Sequence, residues 1–186
     1  FFIKTIYSFL LAIICIASAL FFNVNYLLIF PFIPIQITLI DQFVEGFPPF
    51  VLTFERNIKP VEKHFLRRSL LLALPSALMV VFSVLFIRLW GASHGWSVAD
   101  MSTVSYYLLG SIGFLSVIRA CLPLNIWRAL LIVFSVVGFY ASAVVLKNLI
   151  EISLLTAITF PVYLALMAIF TGVFILTTIL QKYEFD

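Results

Sequence analysis

Apolar runs of membrane-crossing length, separated by short polar breaks, recur along the whole chain. The first covers residues 3–22 and stops at Asn23-Val24-Asn25; the others cover 26–50, 69–90, 101–122, 126–146 and 153–180. A helix needs about 20 apolar residues to cross a hydrocarbon core about 30 Å thick. The pattern therefore predicts an all-α, polytopic membrane bundle of six transmembrane helices in a single transmembrane domain.

Punctuation inside the runs refines this expectation. The opening has the form of a signal peptide, with Lys4, an apolar stretch and Ala17-Ser18-Ala19. The apolar run continues past that triplet to Phe22 and no Met begins the chain, so a first membrane helix within a longer protein is expected. Pro75 beside Ser76 predicts a kink in the third span. Trp90 and Trp96 flank a Gly- and Ser-containing loop as interfacial anchors. Gly110, Ser111, Gly113 and Ser116 mark a packing seam on the fourth span, and Pro123 and Asn125 make a short turn into the fifth. The uncharged run after Glu151, continuing to Gln181, reads as one overlong helix that tilts or bends at Pro161.

Composition excludes a soluble domain: 64% of residues are hydrophobic, 10% are charged and mean hydropathy is +1.21, against about 25% charged residues in globular proteins. The net charge of +3 is dispersed between apolar runs rather than gathered into a patch, so no nucleic-acid partner is expected; the contact is with membrane lipid. With six spans, Lys4, Arg56, Lys59, Lys63, Arg67, Arg68, Arg119, Arg128 and Lys182 share one face. Only Arg88 and Lys147 of the 11 basic residues fall on the other. That bias predicts cytoplasmic termini. Cys15 and Cys121 lack a neighbouring thiol, and His64 and His94 lack metal-ligand spacing. A phosphate-cradling glycine loop and a Ser-His-Asp triad are both absent from the sequence, so this stretch cannot itself hydrolyse ATP.

The second span carries the candidate chemistry. Asp41 and Glu45 are four apart and share a helix face, with Thr38 extending it. A carboxylate in hydrocarbon costs about 2.5–3.5 kcal/mol on insertion scales and marks an ion or proton site by default. Pro34, Gly46, Pro48 and Pro49 interrupt the helix and free carbonyl oxygens, and an all-oxygen set suits hard cations. Counting from Asn25 to Arg56 puts Asp41 near the bilayer centre. Neutralising either carboxylate is then expected to spare the fold. The alternatives are a loop position or a purely structural pairing with a basic residue.

The order of residues in this span resembles the sixth membrane helix of P-type cation-transporting ATPases, in the branch containing the sarcoplasmic reticulum calcium pumps. Ile33-Pro34-Ile35-Gln36 resembles the apolar-Pro-apolar-Gln entry. Asp41, Val44, Glu45, Gly46, Pro48 and Phe54 fall on the Asn-x-x-Thr-Asp-Gly-x-Pro core and the aromatic after it. Weaker echoes lie in Leu115 to Asn125 and in Phe160-Pro161-Val162, and the nearest type looks like the bacterial type E pumps. The resemblance implies helices five to ten of ten, in a bacterial plasma membrane. Phosphorylation and nucleotide-binding domains, which use ATP and Mg, and the fourth helix with its own ion ligands would precede Phe1.

For the ion, the resemblance implies a transported divalent cation, calcium before magnesium, with Asp41 and Glu45 as ligands and Thr38, Gln36 or the Val44 carbonyl assisting. A proton pump with Asp41 or Glu45 as carrier, and a channel, carrier or structural module without ATPase coupling, are the alternatives. Where the calcium pump's fifth helix offers ligands, this chain has only an apolar stretch around Ile13 to Ile16, with Ser8, Cys15 and Ser18 nearby. Arg119 falls where the eighth helix of that pump has a site carboxylate. That makes it either a built-in counter-charge or a basic residue at the cytoplasmic edge.

Overall fold

The computed structural model describes residues 2–22, 30–55 and 65–185, and all regular structure among them is helical. The break at Asn23–Asn25 and most of the basic loop, with Arg56, Lys59 and Lys63, lie outside the described residues. Five helices are long and apolar enough to cross a membrane: Phe2–Phe21, Phe65–Ser93, Val98–Ala120, Ile126–Val145 and Thr159–Gln181. The first is helix α1 (Phe2–Ala17), which widens into a π-helical turn at Ser18–Phe22. The second predicted span is instead a broken helix: α2 (Pro34–Ile40), a π-helical stretch Asp41–Gly46, and α3 (Phe47–Leu52).

Local chemistry sets these boundaries. Ile33 is held extended ahead of Pro34, and a proline opens a helix without losing a bond, because its missing N–H has no partner in the first turn anyway. Gln36 then closes the turn by accepting from the Ile33 N–H at 3.2 Å. Helix α4 (Phe65–Ser93) runs through Pro75 as one continuous helix. Helix α5 (Val98–Ala120) starts earlier than the apolar pattern indicates. Ser97 caps it, its hydroxyl accepting from the Asp100 N–H at 3.1 Å and donating to the Asp100 carboxylate at 2.6 Å. Asn125 caps α6 (Ile126–Val145) through the Trp127 N–H.

The last span departs most from expectation. Residues from Ile152 to Ile158 are not helical, and α7 (Thr159–Phe185) begins only after Thr156 and Thr159 exchange hydrogen bonds between their hydroxyls and backbone N–H groups. Pro161 therefore sits in the first turn, where its missing N–H costs nothing, and does not bend a longer helix. The extended stretch is tied down instead: Ser153 N–H donates to Thr103 Oγ1 at 2.9 Å, and Ile150 and Ile152 are buried.

Helix α5 is the centre of the bundle. It packs on α4, α6, α7 and the broken helix, while α1 lies along α4. A helix apolar on every side is one enclosed by others, and α5 buries Tyr106 as fully as Val104, Leu108 and Ile112, which share the opposite face. Small residues make that enclosure close. A Cβ on Gly110 would strike the Phe139 ring of α6, and one on Gly113 would lie 2.7 Å from Val44 Cγ1. Some polar groups inside are paired across helices. Ser111, Tyr140 and Tyr163 form a closed triangle of hydroxyls at 2.7, 2.8 and 2.9 Å that joins α5, α6 and α7.

Where α3 ends, Glu55 meets Arg128 of α6, whose Nε lies 3.1 and 3.0 Å from the two carboxylate oxygens. The guanidinium hydrogen bonds hold the Glu55 carboxyl below its ordinary value of 4.5. A carboxyl with a lowered folded-state value stabilises fully above its unfolded value, and that contribution disappears as pH falls through the folded one. Acidification from about pH 6 to pH 3 should therefore lower the thermal midpoint more in the wild type than in Glu55→Gln. The difference is small because the pair is half-exposed.

Candidate cation site

The π-helical stretch displaces backbone bonds by one residue: the Phe47 N–H donates to the Gln42 carbonyl, five positions back. That shift, together with two prolines, leaves carbonyls in this stretch without helical donors, that of Val44 among them. The Val44 carbonyl would take its donor from residue 48 in α-helical or 49 in π-helical register, and both are prolines. Residue 47, the remaining short-range donor, is committed to Gln42. Val44 therefore presents a carbonyl with no donor from its own helix, next in sequence to Glu45. Gly46 permits the tight approach, since a Cβ there would stand 2.9 Å from the Asp41 carbonyl oxygen.

Helices α5 and α6 hold this break in place. The Val44 side chain rests on Gly113, and the Phe43 ring rests on Gly138. Beside it is a cavity of about 190 Å³ whose lining includes Glu45, Val44, Tyr7, Ser116 and Gly113. Tyr7 Oη is buried there without a hydrogen-bond partner, and Ser116 Oγ lies 3.1 Å from Ser76 Oγ of α4. A buried hydroxyl with nothing to bond is costly unless something else fills that role.

Asp41 is engaged differently. Lys4 Nζ of α1 donates to both of its carboxylate oxygens at 2.6 Å, and Glu45 lies within electrostatic reach of both groups. The sequence pattern put Asp41 near the bilayer centre and Lys4 on the cytoplasmic face; the ion pair brings the two side chains together.

The remaining expected ligands stand apart from the carboxylates. Gln36 is buried with both ends of its amide used: Oε1 on the Ile33 N–H, and Nε2 donating to the Ile150 carbonyl at 3.0 Å. Thr38 is exposed, its hydroxyl donating back to the Pro34 carbonyl at 3.2 Å. Arg119 does not meet Asp41 as a counter-charge; its guanidinium lies over the Phe174 ring, 5.9 Å from the centroid, and lines a second cavity that shares Ser116 with the first. The residue pattern does not single out Lys4 and Tyr7 as site residues, although their spacing of three puts both on one face of α1. Among the described residues there is no cluster of three or more His, Cys, Asp and Glu. Carbonyl and hydroxyl oxygens must therefore complete any cation shell built from them.

Comparison with known proteins places the chain among cation-transporting ATPases. The chain is 69% identical over 180 residues, 96% of its length, to a probable cation-transporting ATPase, exp7, of Streptococcus pneumoniae. It is 34% identical over 146 residues, 73% of its length, to the calcium-transporting ATPase CtpE of Mycolicibacterium smegmatis. These matches cover 23% and 18% of the respective relatives, so the chain spans under a quarter of their length. No family model matches, and no solved structure does. The resemblance to a membrane portion of bacterial cation-transporting ATPases is therefore established.

Proposed function

We propose that this chain is the transport portion of an ATP-driven cation pump, with a divalent cation, calcium before magnesium, as its cargo. The observation that carries the reading is the isolated Val44 carbonyl beside Glu45, at a helix break that opens on a polar-tipped cavity. A hard cation takes carboxylate, carbonyl and hydroxyl oxygens together, and Glu45, Val44 and Tyr7 supply one of each. Asp41 adds a second carboxylate whenever Lys4 releases it. The identity to a protein named for calcium transport favours calcium.

On this reading the bundle lies in a bacterial plasma membrane with both termini cytoplasmic. The remaining domains of the same pump bind ATP and Mg and drive the bundle between states open to opposite sides. The test is the intact protein in proteoliposomes, with calcium uptake, magnesium uptake and internal acidification followed on adding ATP. ATP-dependent calcium accumulation is expected. ATP-dependent acidification without metal uptake would identify a proton pump. Cation flux indifferent to ATP would identify a channel or carrier.

A further inference from the structure

We infer that Lys4 is a tethered competitor for the transported cation: it occupies Asp41 while the site is empty, must yield it for the ion to bind, and reclaims it to drive release. This rests on the cation-site reading above. An ammonium bonded to both oxygens of Asp41 at 2.6 Å uses the faces of that carboxylate a metal would need. It also changes the charge available. Asp41 and Glu45 together offer two negative charges to a divalent ion, but Lys4 leaves one.

The two carboxylates are therefore not equivalent. Glu45 lines the cavity beside the broken helix and Asp41 does not, so an incoming cation meets Glu45 and the Val44 carbonyl first. Acquiring Asp41 then requires Lys4 to leave. Its side chain suits that movement, because a lysine is a point charge on a long flexible stem that withdraws without shifting its helix, and here it retains 32% exposure. Arg119 and Arg128 do not substitute for it at Asp41, since Arg119 lies over Phe174 and Arg128 is bound to Glu55.

A purely structural ion pair makes a different prediction. Removing one partner of a structural pair harms the fold and leaves intrinsic ion affinity alone, whereas removing a competitor tightens binding. The experiment uses the intact protein with calcium alone as the probe, measuring calcium binding without ATP, then calcium-dependent ATP hydrolysis. In Lys4→Met the half-saturating calcium concentration should fall about tenfold, with maximal turnover also falling because release is slowed. Lys4→Arg, which keeps the charge, should restore both toward wild type. If Lys4→Met does not fold, Lys4→Gln, which keeps a hydrogen bond to Asp41 without the charge, should bind calcium more tightly than wild type.

Unchanged or weakened calcium binding in folded Lys4→Met, or in Lys4→Gln, overturns the inference. Glu45→Gln tells this failure from that of the underlying reading. Loss of calcium binding there keeps the cation site even if Lys4 proves a brace; retained binding removes the site and the competitor with it.

Discussion

Replacing Glu45 with Gln in the intact protein is expected to abolish cation-stimulated ATP hydrolysis while leaving the thermal midpoint in detergent unchanged or raised. The two readouts separate because the carboxylate does opposite things in them. Its charge costs about 2.5–3.5 kcal/mol to hold in hydrocarbon, which neutralisation relieves. A dehydrated cation, however, loses a principal compensating charge, and stranding a buried charge costs about 3–5 kcal/mol, or more than a hundredfold in affinity. Asp41→Asn should lose turnover as well, but its stability should fall, because the Lys4 ammonium is left without the carboxylate it holds at both oxygens. That asymmetry replaces the expectation that both neutralisations spare the fold. Normal ion dependence in both variants would show the two carboxylates to be structural.

What was legible in the sequence follows from which interactions are local. Helix number, the break in the second span and the pair Asp41 and Glu45 all express short-range constraints: apolar run length, proline without an N–H, charge in an apolar setting. The capping of α5 was equally local and could have been read from Ser97-x-x-Asp100. Pairing across the bundle was not legible. Lys4 reaches Asp41 across 37 positions, and Gln36 reaches the Ile150 carbonyl across 114. A backbone carbonyl has no sequence signature, so nothing in the residues near Gln36 discloses that its amide braces the loop before α7. Thr38 shows a subtler limit: helical spacing alone put it with Asp41, but a threonine hydroxyl can satisfy itself on its own helix, and this one does. The resemblance to calcium pumps directed attention to the middle of the first helix, near Cys15. The described structure instead brings the opening turns of α1, with Lys4 and Tyr7, to the broken helix.

Substitution of Gly113 by Leu is expected to destabilise the bundle by about 3 kcal/mol or more, at the upper end of overpacking costs. Even the first added atom has no room, since a Cβ at Gly113 would lie 2.7 Å from Val44 Cγ1. Neither side can retreat: α5 is enclosed by its neighbours, and the Val44 backbone is fixed within the π-helical stretch, with two prolines after it. Gly172 in α7 provides the contrast, because a Cβ there meets nothing within 4 Å. Gly172→Ala should be neutral or slightly stabilising, as alanine is the better helix former by about 1 kcal/mol. The smaller change Gly113→Ala allows a direct test of the contact. Alone it should cost about 1–3 kcal/mol; combined with Val44→Ala, which removes the opposing methyl groups, it should cost less than the sum of the two single changes. Thermal midpoints of the four combinations, read beside calcium-stimulated hydrolysis, measure that coupling. Strict additivity would mean that α5 does not set the position of the broken helix. A positive coupling with hydrolysis recovering in the double variant would mean that this glycine fixes where the Val44 carbonyl and Glu45 stand.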